Sequence, residues 1–370
     1  MLVLVLAMAL ILKAWRPLRD EPGIVLLLIW CGLTIVWSAR GLDNIEQFAL
    51  LLATVATAAI IARAFGTKGQ VHFMGRILTV GLLICVAFAI LVPSVGLMRG
   101  GHDGDLRGLL FHKNHFGAFA AFASCYLFAV YKLALHRRYG ALAFLAGALA
   151  FLAGICVLLS GSASAVLMLL AALGIAGMVT ATHNTSRGKR KLLAWILLLL
   201  VPILGWYVHV FWAEILELLG RDTTLTHRTG IWAVVLDYLQ EHPLVFFFGS
   251  GPGGATANAE LIDRMQLLSG YRGVTTTHSA YLDIIINFGV IGLLAFVVIN
   301  IAALATAFRI YTQATDRRHI TCSILAVQII VLGLLRNSVT SEAGLTASFP
   351  FLMFLSAVFL LTGLQKELPR

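Results

Sequence analysis

One histidine, two small groups of arginines and a short basic cluster are the residues in this sequence best suited to chemistry. His278 stands where a long polar stretch gives way to an apolar one. A neutral imidazole at the mouth of a cavity there is well placed to take a proton from an incoming hydroxyl near neutral pH. It is also one of eleven histidines, and taken alone an ordinary interfacial side chain is the plainer reading. The same polar stretch opens with Gly220-Arg221-Asp222-Thr223-Thr224-Leu225-Thr226-His227-Arg228-Thr229-Gly230-Ile231-Trp232 and carries Arg272 near its end. Guanidinium forks hold phosphate oxygens bidentately, so Arg221 and Arg228 suit an anionic ligand.

A second cluster runs Arg107-Gly108-Leu109-Leu110-Phe111-His112-Lys113-Asn114-His115-Phe116-Gly117. Lys113 and Asn114 fall where an apolar segment begins. A helix start there would offer unpaired N–H groups and the positive end of its dipole to an anion. The alternative is an interfacial cluster whose basic groups snorkel to lipid headgroups. His112 and His115 have an i, i+3 spacing, but no carboxylate or cysteine set accompanies them, so no metal is expected. Arg336 and Glu342 lie beside the end of a late apolar segment, where charge is costly and tends to be functional, although the two can also neutralise each other. Gly249-Ser250-Gly251-Pro252-Gly253-Gly254 has the look of a phosphate cradle but lacks the Lys-Ser/Thr of a P-loop, and a tight turn is the preferred reading.

The elements that must position these groups are membrane helices. Of 370 residues 60% are hydrophobic and 12% charged, and mean hydropathy is +0.92. Apolar runs of about 20 residues match a hydrocarbon core of roughly 30 Å crossed as helix. Short alternating strands are not visible, which excludes a β-barrel. The fold class is therefore all-α, a polytopic integral membrane protein of about 11–12 transmembrane helices. The spans are expected near 1–15, 22–39, 44–64, 73–94, 114–135, 139–159, 163–182, 191–211, 279–305, 320–340 and 345–365. That reading divides the chain into N-terminal helices (1–211, with an active-site loop at 94–113), a large loop at 212–278 and C-terminal helices at 279–370. Because Met1 begins almost within a helix, a further upstream helix is one option. The opening segment lacks a basic start and a small-residue cleavage site, so no cleavable signal is expected. Inside the loop, amphipathic helices are expected over Thr229–Gln240 and Ala255–Leu268.

Most of the 27 lysines and arginines sit in one alternate set of connections, which the positive-inside rule makes cytoplasmic. The net charge of +10 thus reports topology and needs no nucleic acid. The loops at 94–113 and 212–278 then share the outer face. Their basic residues are almost all arginine, with Lys113 the exception. Cys31, Cys85, Cys125, Cys156 and Cys322 all fall in apolar runs, an odd number without a Cys-x-x-Cys, and imply neither a disulfide framework nor redox work.

Three segments in this order resemble the O-antigen ligase and exopolysaccharide polymerase superfamily. They are Arg107…His112-Lys113-Asn114…Gly117, then Gly220-Arg221-Asp222-x-Thr224-Leu225-Thr226-x-Arg228-Thr229-x-Ile231-Trp232 with His242-Pro243 and Gly249-x-Gly251, then His278-Ser279-x-x-Leu282 with Gly289 beyond. The resemblance covers roughly 100–290. His227 departs from it, since a small residue is usual before the arginine. The resemblance implies a GT-C-like membrane glycosyltransferase of the bacterial inner membrane with its site on the periplasmic face. The donor it implies is an oligosaccharide on undecaprenyl pyrophosphate, and the acceptor another glycan or glycolipid. By the same resemblance His278 is the catalytic base, and Arg228, Arg221, Arg107 and Lys113 hold the pyrophosphate, with Asn114, His112, Arg272 and Arg336 in support. No cofactor is implied. The bilayer is a partner, and polysaccharide export and chain-length-control proteins are candidates. The polymerase branch fits the Gly-Arg-Asp segment best. A ligase that passes glycan to lipid A core or protein is the alternative. A lipid-linked sugar transporter is the third reading, disfavoured because no internal repeat is visible.

Overall fold

The computed structural model describes residues 13, 15–38, 42–99, 104–182, 188–189, 192, 228–256, 258–269, 274, 276–338, 340 and 345–368. Among them the chain is helical, with one isolated antiparallel bridge between Leu97 and Leu106. The helices are α1 (Trp15–Arg19), α2 (Pro22–Leu33), α3 (Leu42–Leu91), α4 (Pro93–Gly96), α5 (Lys113–His136), α6 (Gly140–Leu159) and α7 (Ala163–Thr182). After the undescribed residues come α8 (Arg228–Glu241), α9 (Pro243–Phe248), a 3₁₀ turn (Gly254–Thr256), α10 (Ala259–Ser269), α11 (Ala280–Gln313), α12 (Arg317–Asn337) and α13 (Phe349–Glu367). Proline occupies the first turn of α2, α4, α9 and α13, where its missing N–H leaves no bond unmade.

The chain is a multi-pass membrane protein. Among the described residues six helices are long and apolar enough to span: most of α3, and α5, α6, α11, α12 and α13. One of the expected runs, 22–39, is shorter than expected. It is helical only to Leu33, after which the chain turns over residues 34–37. The runs at 44–64 and 73–94 form the two halves of α3, which are separate helical segments on either side of Gly66, whose backbone (φ +58°, ψ −174°) is not helical. Helix α7, Ala163–Thr182, is the 20-residue helix expected over 163–182. The runs at 1–15 and 191–211 lie outside the described residues.

Helix α5 is the buried pillar of the bundle, with Phe116, Phe122 and Tyr126 sealed from solvent. Phe349, at the start of α13, packs on Phe119 and Phe122 with ring centroids 5.3 and 5.7 Å away. The polar stretch has a small core of its own, where Ile231, Val235, Leu261 and Met265 meet Ile286 of α11. Its helices are close to those expected. α8 gains a residue at each end, and the second expected helix splits into the 3₁₀ turn and α10.

The bundle has two chemically distinct ends. At one lie the starts of α5, α11 and α13 and the end of α12. At the other, the opposite ends of α12 and α13 are tied by charge. Asp316 caps α12 by accepting from Arg318 N–H at 2.9 Å, and the Arg318 guanidinium pairs with Glu367. Glu367 also accepts from the Thr67 hydroxyl beside the α3 bend, and Lys366 pairs with Asp20.

Candidate active site

His278 lies in the two-residue step before α11, and its backbone is left-handed at φ +53°. For a side-chain-bearing residue that conformation costs about 1–2 kcal/mol and persists only where neighbours enforce it. The neighbours are Thr277 and Asp283, both buried. The Thr277 hydroxyl accepts the Ser279 N–H at 3.1 Å and offers its proton to Ser279 O at 2.8 Å and the Asp283 carboxylate at 2.7 Å. The Thr277 carbonyl accepts the Trp232 indole N–H at 3.0 Å. His278 is thus clamped from both sides, with its half-buried side chain projecting from a fixed turn.

The Trp232 bond also brings Arg228 to this place. Arg228 is the first residue of α8, and residues four apart share a helix face, so it stands one turn from the indole. From the other direction the Tyr281 hydroxyl donates to Leu334 O at 3.0 Å, joining the first turn of α11 to the last turns of α12. Arg336 follows there, 1% exposed, its carbonyl accepting the Thr340 N–H and hydroxyl at 3.1 Å each. The structure therefore brings His278, the Arg228 end of α8 and the Arg336 end of α12 into one neighbourhood. Arg221, His227, Arg272 and Glu342 lie outside the described residues.

Arg107, His112, Lys113 and Asn114 form a second group at the start of α5. Arg107 and Gly108 donate their N–H groups to Gly96 O at 3.0 and 2.9 Å, and Leu106 N–H donates to Leu159 O at 2.9 Å. The Arg107 Nε is anchored on Val95 O at 2.8 Å, which leaves the terminal nitrogens of the fork without a partner among the described residues. Lys113 is 5% exposed and its ammonium contacts Asp105 at 2.6 Å and Gly161 O at 3.4 Å. Its charge is matched locally, and it pins the loop and the α6–α7 turn to α5. Gly161 must be glycine for this: at φ +57° a Cβ would stand 2.5 Å from the Asp105 carboxylate. His112 caps α5, its Nδ1 accepting the Asn114 N–H at 3.2 Å, and its ring centroid lies 6.4 Å from that of His115.

The glycine-rich segment is a turn that binds protein. Ser250 and Gly251 donate their N–H groups to Ile286 O and Asn287 O at 2.8 and 2.9 Å, and Ala255 N–H goes to the Asn287 side chain at 2.7 Å. Those carbonyls are available because α11 breaks at Gly289, φ +70°. A Cβ on Gly289 would meet Phe247 O at 2.1 Å, and one on Gly249 would meet Asn287 O at 2.3 Å. Trp30 closes the break by donating to Phe288 O at 2.7 Å.

Sequence reasoning missed Thr277, Asp283, Trp232 and Asp105 as parts of these sites. Asp283 carried a readable signal, being a carboxylate inside an otherwise apolar run. Asp105 carried none beyond its nearness to Lys113.

A family model described as O-antigen ligase matches residues 148–297, from within α6 through the polar stretch to the middle of α11. The matched segment contains Arg228, His278 and Gly289 and ends before Arg336, while the Arg107–Asn114 loop precedes it. No curated protein matches the chain. Over residues 148–297 this multi-pass membrane protein is therefore similar to the O-antigen ligase family, in agreement with the residue motifs.

Proposed function

We propose that the protein is a membrane glycosyltransferase that extends a polysaccharide, taking glycan from undecaprenyl pyrophosphate and passing it to an acceptor sugar hydroxyl at the periplasmic face of the bacterial inner membrane. The observation that carries the reading is the clamped, left-handed His278 beside the Arg228 end of α8. A fixed imidazole accepts the acceptor hydroxyl proton as the oxygen attacks the anomeric carbon and the bond to pyrophosphate breaks. A positioned base of this kind contributes about 10²–10⁴ in rate. Charge grows on the departing pyrophosphate, and arginines held in place stabilise it without reorganisation. Arg228 and Arg221 serve this role, with the free end of the Arg107 fork as a third contact. Lys113 acts chiefly through the helix start it fixes.

A second reading, equally compatible with the family match, is a ligase that delivers finished glycan to lipid A core or protein. Both use the same groups and differ in acceptor.

The deciding experiment is transfer by the purified protein in detergent with EDTA, from a lipid-pyrophosphate glycan of the host, with His278→Ala alongside. A ladder of lipid-linked repeats that vanishes in the variant is the expected result. A single transfer to a different acceptor selects the ligase. Donor binding without product in the wild type would sink both readings in favour of transport.

A further inference from the structure

At the end of the bundle remote from His278, the second half of α3, the end of α5 and the start of α6 border an open cleft of about 350 Å³. Its walls divide by chemistry. Arg76 and Arg137 are its two guanidinium groups, and His72 lies close enough to feel both charges. No acidic side chain lines it, and neither arginine has an ion-pair partner among the described residues. The rest is apolar: Phe65 and Phe73 stack with centroids 4.0 Å apart, and Leu133 and Leu142 face them.

The turn that shapes the cleft departs from helix-ending rules. Tyr139 N–H returns to Ala134 O at 3.0 Å and Arg138 N–H to Leu135 O at 3.1 Å, the two bonds of a Schellman motif. The left-handed position of that motif normally belongs to glycine, yet here it is Arg138 at φ +59°. The turn sets Arg137 and Tyr139, on either side of Arg138, into the cleft wall. Two unpaired guanidinium groups over an aromatic floor match a phosphate that carries hydrocarbon chains, since the fork takes phosphate oxygens bidentately and the rings take the chain.

We propose that this cleft binds the phosphate headgroup of an anionic membrane lipid, with the chains laid over Phe65, Phe73 and Leu142. The inference is independent of the reaction at His278. A free phosphate in water shares the headgroup chemistry but has no use for the aromatic floor.

The test uses the full chain in nanodiscs of phosphatidylcholine with a minor share of phosphatidylglycerol, released into native mass spectrometry to count retained lipids. Three proteins are compared: wild type, Arg76→Gln/Arg137→Gln, and Arg309→Gln/Arg317→Gln, which removes two exposed arginines elsewhere on the chain. The expected result is preferential retention of phosphatidylglycerol by wild type and the control pair, and about a tenfold loss in the cleft variant. Thermal melts of all three confirm that folding is equal. If inorganic phosphate displaces the lipid and protects the wild type without it, the phosphate site stands and is filled from water. Equal retention by all three proteins, or equal loss from both variants, overturns the proposal.

Discussion

The hydroxyl of Thr277 sits 2.7 Å from the carboxylate of Asp283, both buried, and the residue after that threonine is the left-handed His278. The pair acts as a brace: the carboxylate six residues on holds the backbone turn from which the imidazole projects. Thr277→Val keeps the shape and removes the hydroxyl. Losing its bonds to buried groups should cost about 1–3 kcal/mol. Transfer should fall about tenfold or more while donor binding persists. Turnover and donor binding measured on the same preparation check this, and unchanged turnover would show that the brace does not set the histidine.

Arg228→Lys keeps the charge at the start of α8 and removes the fork. If the arginine grips pyrophosphate, a point charge cannot reproduce two parallel bonds, and kcat/KM should drop about tenfold or more. An equal rate in the lysine variant would make the residue structural.

Lys113 and Asp105 invite a double-mutant cycle. Lys113→Gln alone strands a half-buried carboxylate and Asp105→Asn alone a buried ammonium, each costing about 2–4 kcal/mol. The double variant should recover much of that stability in a thermal melt. If activity recovers with it, Lys113 works by positioning. Stability regained without activity would return it to the pyrophosphate.

Gly66 and Gly289 have similar left-handed φ values, +58° and +70°, but unlike neighbours. A Cβ at Gly66 meets nothing within 4 Å, whereas at Gly289 it collides with Phe247 O. Gly66→Ala should therefore cost its backbone strain alone, about 1–3 kcal/mol. Gly289→Ala should be far worse, with loss of folded protein on size exclusion. Similar behaviour of the two variants would refute the close-approach argument.

Tyr238 gives the loop a pH signature. Burial pushes its hydroxyl above the usual value near 10, against the opposing bond from Asn258 at 2.6 Å. The folded chain therefore keeps the proton longer than the unfolded one. Its stabilising effect is complete below about pH 10 and fades as pH climbs through the raised value. Melting curves of wild type should decline over that window, and those of Tyr238→Phe should decline less.

Much of this was legible in advance. Apolar run length announced the helices, and the glycine cluster marked a turn. His278 and Arg228 could be singled out because polar groups at the edge of apolar runs are few. Two things were hidden. The end of α2 at Leu33 falls inside an apolar run that carries no proline or glycine stop beyond it. The Asp105 partner of Lys113 depends on a loop folding back onto α5, a long-range event that no periodicity reports.

The break in α11 has a consequence for how the chain is made. Ile286, Asn287 and Phe288 present carbonyls that Ser250, Gly251 and Trp30 satisfy, two of them from the loop and one from α2. All three donors are synthesised before their acceptors, so the glycine turn must wait, undocked, until α11 emerges and bends around Gly289. Loop and membrane helices therefore mature in one step, and a soluble fragment cut at 228–278 would lack the partner its turn was shaped to meet.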